Sequence, residues 1–333
     1  MRIDTHHHIL PLIWLDVFNN ITKGIQLPPG LAMPAWSVNS SLSVMEQNGI
    51  GAAIVSLSAP AFSIIPDPQL AAKIARGVNQ YSATLHDMHP SQFGFFASVP
   101  PLTDTAAALA EIKYAFDELS ADGVVLFTSY DEIYLGSPRF QSIWAELDKR
   151  AAVVFIHPIQ NMNQTTVNAF LNPSVIDFPH ETTRTAADLI TSGTLRRYPN
   201  VRIILSHGGG TLPYIATRAA NLLGDIGLTN QSATEFLQQA HQFYYDLALT
   251  SYEFPLELLL RFADPERILY GSDYPFISTR SIEEQVAIFD RLELNHTVRR
   301  DITHQNAQKL FPRFGSVKKP TSAMSLFKVD VNS

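Results

Sequence analysis

His6 and His8 stand two residues apart in the opening M-R-I-D-T-H-H-H. In an extended chain residues i and i+2 face the same side. Two neutral imidazoles side by side can meet one cation, zinc or a neighbour of zinc. His7 then faces away. The run is shorter than a purification tag and is fused directly to a strand pattern. Further along, His157 ends the apolar run A-V-V-F-I-H, His207 ends V-R-I-I-L-S-H, and Asp273 ends R-I-L-Y-G-S-D. A single histidine after a strand is usually a packed or surface residue. Several at equivalent strand ends are better explained as a site, and three imidazoles with one carboxylate suit one divalent ion.

Such a site needs elements that bring distant residues together. Short apolar runs occur at Ile3, Ala52–Leu57, Phe93–Val99, Gly123–Phe127, Ala152–His157, Val201–His207, Phe243–Leu247 and Arg267–Asp273. Helical spacing lies between most of them: Ser40–Asn48, Pro66–His86, Thr103–Leu119 with Thr103 or Asp104 as cap, Pro138–Arg150, Glu181–Arg197, Tyr214–Leu223 and Pro255–Phe262. Ile282–Leu292 and Val298–Phe311 follow the last strand. Continuous rather than alternating apolar runs imply a parallel sheet covered on both faces. Eight such units predict an α/β fold of the (β/α)8 TIM-barrel kind, with all strand ends on one chemical face. A doubly wound sheet would carry G-x-G-x-x-G after its first strand, and this chain does not. The expected organisation is one barrel over residues 1–312, an irregular apolar insertion at about 12–36 that could roof a pocket, a polar loop over 158–179, and a loosely packed tail over 313–333.

Composition narrows the classes. The 333 residues are 46% hydrophobic and 17% charged, with net charge -7 and no cysteine. Disulfides, cysteine-ligated zinc and a cysteine nucleophile are excluded. The acidic balance, with pI near 5.9, gives no footprint for nucleic acid. No apolar stretch is long enough to span a bilayer. No signal-peptide pattern precedes the histidines, so a cytoplasmic location is the default expectation.

The sequence resembles the amidohydrolase-related decarboxylases, whose members act on aminocarboxymuconate semialdehyde, γ-resorcylate or 6-methylsalicylate. The matching stretches are I-D-T-H-H-H-I-L-P, V-F-I-H-P at His157, F-P-H-E-T-T at Phe178–Thr183, L-S-H-G-G-G at Leu205–Gly210 and L-Y-G-S-D-Y-P-F at Leu269–Phe276. They run from the first strand to the last. The resemblance implies an amidohydrolase-type barrel, metal ligands His6, His8, His157 and Asp273, and a catalytic or substrate-orienting His207. It places His180 in a loop facing the metal, and Arg218 where an arginine reaches a neighbouring subunit's site. It therefore implies a homodimer. Two-metal relatives in the wider superfamily carry a bridging lysine after strand four. Here Leu126-Phe127-Thr128-Ser129 offers none, so a single ion is expected, with zinc favoured over manganese.

The aminocarboxymuconate enzymes use an arginine in the helix after strand one for a second carboxylate. Ser40–Asn48 contains no basic residue, and a second buried carboxylate without a partner is costly. That points to a monoacid such as 6-methylsalicylate, converted to 3-methylphenol and CO2, with Asp273 carrying the proton and His207 assisting. Two other readings use the same residues: metal-dependent hydrolysis of a lactone or cyclic amide, and decarboxylation of aminocarboxymuconate semialdehyde. A metal-stabilised binding protein is disfavoured, because a structural zinc site closes its shell without a spare histidine such as His207 beside it.

Overall fold

The computed structural model describes residues 1–23, 33–160, 167–168 and 170–316. Eight strands pair in chain order: β1 (Arg2–Ile9), β2 (Ile50–Leu57), β3 (Phe93–Ser98), β4 (Gly123–Phe127), β5 (Val153–His157), β6 (Arg202–Leu205), β7 (Tyr244–Asp246) and β8 (Ile268–Leu269). Each ladder is parallel. Backbone bonds Thr5 N to Tyr270 O, Asp273 N to His6 O and His8 N to Tyr274 O bring the last strand to the first. Every residue of β1 to β5 is buried, as expected of strands covered on both faces. This is the (β/α)8 barrel anticipated from the apolar runs.

Helices α1 (Leu12–Ile21), α2 (Val38–Gln47), α3 (Pro68–Met88), α4 (Thr105–Asp117), α5 (Gln141–Lys149) and α6 (Pro173–Thr191) fall in the first part of the chain. After them come α7 (Thr194–Arg197), α8 (Leu212–Asp225), α9 (Ala233–Ala240), α10 (Glu253–Phe262) and α11 (Thr279–Arg291). Capping explains several starts. Asp67 accepts from Gln69 N ahead of Pro68, and Asp104 accepts from Ala107 N. Among the described residues no helix is long and apolar enough to cross a membrane.

The barrel interior is filled by Ile3, Ile54, Phe96, Val125, Phe155 and Leu269. Residues 310–314 close its amino-terminal side. Leu310, Phe311 and Phe314 pack on that interior cluster, Phe314 is fully buried, and Arg313 pairs with Asp122. The tail boundary at 313 is thus too early. Residues 313–316 belong to the barrel floor, and burying one phenylalanine there contributes about 1.5–3 kcal/mol. The remainder of the expected tail lies outside the described residues.

Three local expectations differ from the structure. The insertion at 12–36 contains a helix, α1, which buries Trp14 and Phe18. Its other face is also apolar, with Leu12 exposed, so no clean helical stripe showed in the sequence. Residues 24–32 of this insertion lie outside the described residues. The expected loop to Pro179 ends instead at Asn172, which caps α6 through Ser174 N. Pro179 sits inside that helix and lacks an N–H for the preceding turn, which made it read as a boundary. Helix α9 was not anticipated, although Ser232 and Glu235 form a capping box.

Helix α6 is held against the turn after β6. Thr183 Oγ1 lies 2.9 Å from Pro179 O and 2.9 Å from Thr211 Oγ1, and Thr211 N donates back to it at 2.8 Å. A Cβ on Gly210 would lie 1.9 Å from Pro179 O, and Gly210 has φ 65°. Gly210→Ala therefore combines a left-handed backbone with a steric overlap. It is expected to lower stability by roughly 2 kcal/mol or more, read as a shift in denaturant midpoint.

Candidate metal centre

The centre begins with an irregularity in β1. The pairing of β1 with β2 shifts register between Asp4 and His7. Fully buried Asp4 secures this stretch: Oδ1 accepts from His6 N at 3.1 Å and Ser272 N at 3.0 Å, and Oδ2 accepts from Ser272 Oγ at 2.6 Å and His7 Nδ1 at 3.1 Å. His6 and His8 then face one another in the barrel mouth, while His7 turns to Ser41 Oγ at 3.0 Å. Asp4, His7 and Ser41 stand in the order of a hydrolytic triad. Ser41 is fully enclosed and already meets Trp36 Nε1 at 2.9 Å, so no acyl group reaches it.

Each histidine of the mouth has one ring nitrogen engaged. His6 Nδ1 lies 2.9 Å from Asp246 Oδ2, His8 Nδ1 lies 3.3 Å from Ser56 O, and His157 Nδ1 lies 2.8 Å from Pro158 O. Carboxylate and carbonyl oxygens only accept, so His6 Nδ1 and His157 Nδ1 carry protons, while the Ser56 hydroxyl 3.2 Å from His8 Nδ1 can donate or accept. Coordination by all three rings uses the Nε2 lone pairs. His6 Nε2 and His8 Nε2 are 3.0 Å apart. Asp273 Oδ1 lies 3.3 Å from the first and 3.2 Å from the second. One donor atom from each of His6, His8, His157 and Asp273 lies within 4.8 Å of all the others. Two lone pairs 3.0 Å apart repel unless a proton or a cation lies between them, so the donor set fits a divalent ion. Among the described residues this is the one group of three or more such donors.

The electrostatics agree. Burial alone would lower His6, but Asp246 and Asp273 push it up to about 10. A bound cation would displace that proton. His8 is lowered by burial against the pull of Asp273. His157 falls well below its usual range through burial and the neighbouring histidines. Burial would raise Asp273, yet His6 and the nearby rings of His207 and His8 hold it well below the usual carboxylate range. Neutral His8 and His157 beside ionised Asp273 are in the states that coordination requires.

His207 Nε2 lies 3.5 Å from Asp273 Oδ2, the oxygen turned away from His6 and His8. Its Nδ1 is buried without a hydrogen-bond partner. Both residues adopt left-handed conformations, φ 55° for His207 and 59° for Asp273. Non-glycine residues there cost on the order of 1 kcal/mol each and persist where surrounding bonds over-determine them. Asp246, to which sequence reasoning gave no role, is one source of that constraint. Fully buried at the end of β7, its Oδ1 accepts from His207 N and Ala248 N, each at 3.0 Å. A carboxylate closing a strand on the chemical face was the signal available in the sequence.

Aromatic rings wall the centre. Phe155 stands 4.9 Å from His6, Phe276 5.4 Å from His8, and Phe127 and Phe178 6.0 and 6.1 Å from His157. Phe127 and Ile159 also line a cavity of about 840 Å³, with Phe62, Ile65 and Tyr130. Among the described residues its lining carries Asp104, Asp131 and Glu132 and no basic residue. Helix α1 packs through Trp14 and Phe18 into the same apolar cluster.

Two expected residues are not at this centre. His180 is exposed on α6, its Nδ1 3.4 Å from Thr211 Oγ1. The helical turn at Phe178–Thr182 aims Phe178 at His157 and leaves His180 outward. Arg218 is exposed on α8 and forms no hydrogen bond or ion pair within the described residues of this chain. Glu181 does not serve a helix start. It is buried mid-helix and accepts from Tyr134 Oη at 2.7 Å.

A barrel whose strand ends gather three imidazoles and a carboxylate defines a metal-dependent enzyme class. The chain belongs to the amidohydrolase family, whose profile matches residues 3–313. It is 45% identical to the decarboxylase macB of Penicillium terrestre, over 94% of this chain and 95% of that one. It is 43% identical to the 6-methylsalicylic acid decarboxylase acuB of Aspergillus aculeatus, over 94% and 96% respectively. Among solved structures it superposes on the 5-carboxyvanillate decarboxylase of Novosphingobium aromaticivorans, complexed with manganese and a nitrobenzoic acid. The TM-score is 0.83 at 20% identity, covering 94% of this chain and 96% of that one.

Proposed function

We propose that this enzyme decarboxylates a 2-hydroxybenzoate without redox change, converting 6-methylsalicylate to 3-methylphenol and CO2. The 43% identity to a 6-methylsalicylic acid decarboxylase along 94% of the chain carries this reading. His6, His8, His157 and Asp273 would hold one divalent ion. The histidine-rich donor set favoured zinc on sequence grounds, but the manganese in the 5-carboxyvanillate enzyme moves our choice to manganese, with zinc the alternative. When bound, the ion supplies Lewis-acid charge and orients the substrate's carboxylate and neighbouring phenol oxygen.

The chain's own groups do the rest. Phe127, Phe178 and Phe276 pack the ring, which suits a site that is mostly apolar with a few polar groups. Asp273 accepts the phenolic proton at Oδ2 and delivers it to the ring carbon bearing the carboxylate. The C–C bond then breaks, its electron pair restores aromaticity, and CO2 leaves. The phenolate product takes a proton from water. His207 Nε2, beside Oδ2, holds the phenolic oxygen during transfer.

The working unit is a homodimer in this reading. Arg218 has no partner among the described residues, Tyr214 a turn earlier is 80% exposed, and Phe254 on α10 is 82% exposed. Exposed aromatic side chains flanking a free arginine suit an interface that hands the guanidinium to a second copy's substrate. The test is incubation of manganese-loaded protein with 6-methylsalicylate. CO2 release with 3-methylphenol is expected, and ring opening without CO2 would overturn the reading. Elemental analysis is expected to give one metal per chain, and two per chain would contradict a site without a bridging lysine.

A further inference from the structure

We infer that Asp246 is a positioning residue that fixes which nitrogen of His6 carries the proton, and so whether His6 can coordinate. This deepens the proposed function and rests on His6 being a metal ligand. The argument is geometric. Two backbone N–H groups, from His207 and Ala248, aim at Asp246 Oδ1 at 3.0 Å each. They commit that oxygen as an acceptor. The other oxygen, Oδ2, is left facing His6 Nδ1 at 2.9 Å. A carboxylate has no hydrogen to give, so Nδ1 must donate and the Nε2 lone pair faces His8 Nε2 and Asp273 Oδ1. Both side chains of the pair are wholly buried.

The same geometry dictates what an isosteric amide does. In Asp246→Asn the two backbone donors hold the amide oxygen where Oδ1 was. The amide NH2 is then forced into the place of Oδ2 and donates to His6 Nδ1. A His6 that accepts there carries its proton on Nε2, at the coordinating position, or sets two donors against each other. Asp246→Ala removes that conflict but leaves His207 N and Ala248 N without their acceptor.

The two variants should therefore rank in opposite orders. Manganese affinity, measured by chelator competition, should fall about 100-fold in Asp246→Asn and only about ten-fold in Asp246→Ala. Melting of the metal-free chains should show both variants below wild type, because each loses the carboxylate that holds His6 charged, with Asp246→Ala the lower of the two because its backbone donors are left unpaired. A merely structural carboxylate predicts the alanine variant worse on both scales, and that result would overturn the inference. Equal manganese affinity of wild type and Asp246→Asn would overturn it too. Should the alanine variant fail to fold, nitrogen-15 spectra of the zinc-loaded wild type decide. A slowly exchanging Nδ1–H on His6 is expected, and its absence rejects the inference. A wild type that binds neither manganese nor zinc strikes at the metal reading itself and is thereby distinguished.

Discussion

Asp273→Asn is expected to abolish turnover while the chain still folds and still takes up metal at excess concentration. The two oxygens of Asp273 face different partners. Oδ1 sits with His6 Nε2 and His8 Nε2 at 3.3 and 3.2 Å, and Oδ2 sits with His207 Nε2 at 3.5 Å. Asparagine still offers an oxygen to the first pair. It cannot accept the phenolic proton and return it to the ring. Removing a general acid–base group typically costs about 10²–10⁴-fold, and here the same group serves both transfers, so the upper end is expected. Metal content and CO2 release on the same preparation check the point. Wild-type turnover from a metal-loaded variant would show that the proton travels by another route.

Arg218→Ala is expected to raise KM for a monoacid by about 10–100-fold, the range of one charge-assisted hydrogen bond. Among the described residues the arginine has no partner, so little folding stability of that part depends on it. The decisive experiment mixes the two impaired proteins and assays them below the wild-type KM, where Arg218→Ala is slow. A hybrid of Arg218→Ala and Asp273→Asn chains contains one site with an intact arginine and an intact aspartate. Verified heterodimers should recover part of the activity. No recovery would refute the shared site, and a variant with unchanged KM would remove Arg218 from substrate binding.

The barrel was legible because its strands are buried on both faces and read as continuous apolar runs. The positions of His6, His8, His157 and Asp273 followed from where those runs stop. What escaped has physical causes. Helix α1 is apolar on both faces, so its period was hidden. Pro179 lies inside α6 yet looks like a breaker. The family resemblance placed His180 in a loop, when a turn of α6 carries it outward. Strand β8 is only Ile268–Leu269, and Gly271–Asp273 has already left the ladder when Asp273 reaches the centre. Asp246 was passed over because its partners, His6 and His207, lie far off in the chain, and nothing in the local pattern Y-Y-D-L-A discloses them.

The floor formed by Leu310, Phe311 and Phe314 has a kinetic consequence. The filled barrel interior and this floor together leave the rim at the strand ends as the single neck of a flask. Substrate, CO2 and the phenol all pass the same rim, so the leaving phenol must clear the doorway before the next acid can enter. Phenol and acid then compete for one vacancy, and accumulated phenol slows the reaction in a way that more acid relieves. The plug that steadies the barrel thereby makes the enzyme responsive to how quickly its product is carried off.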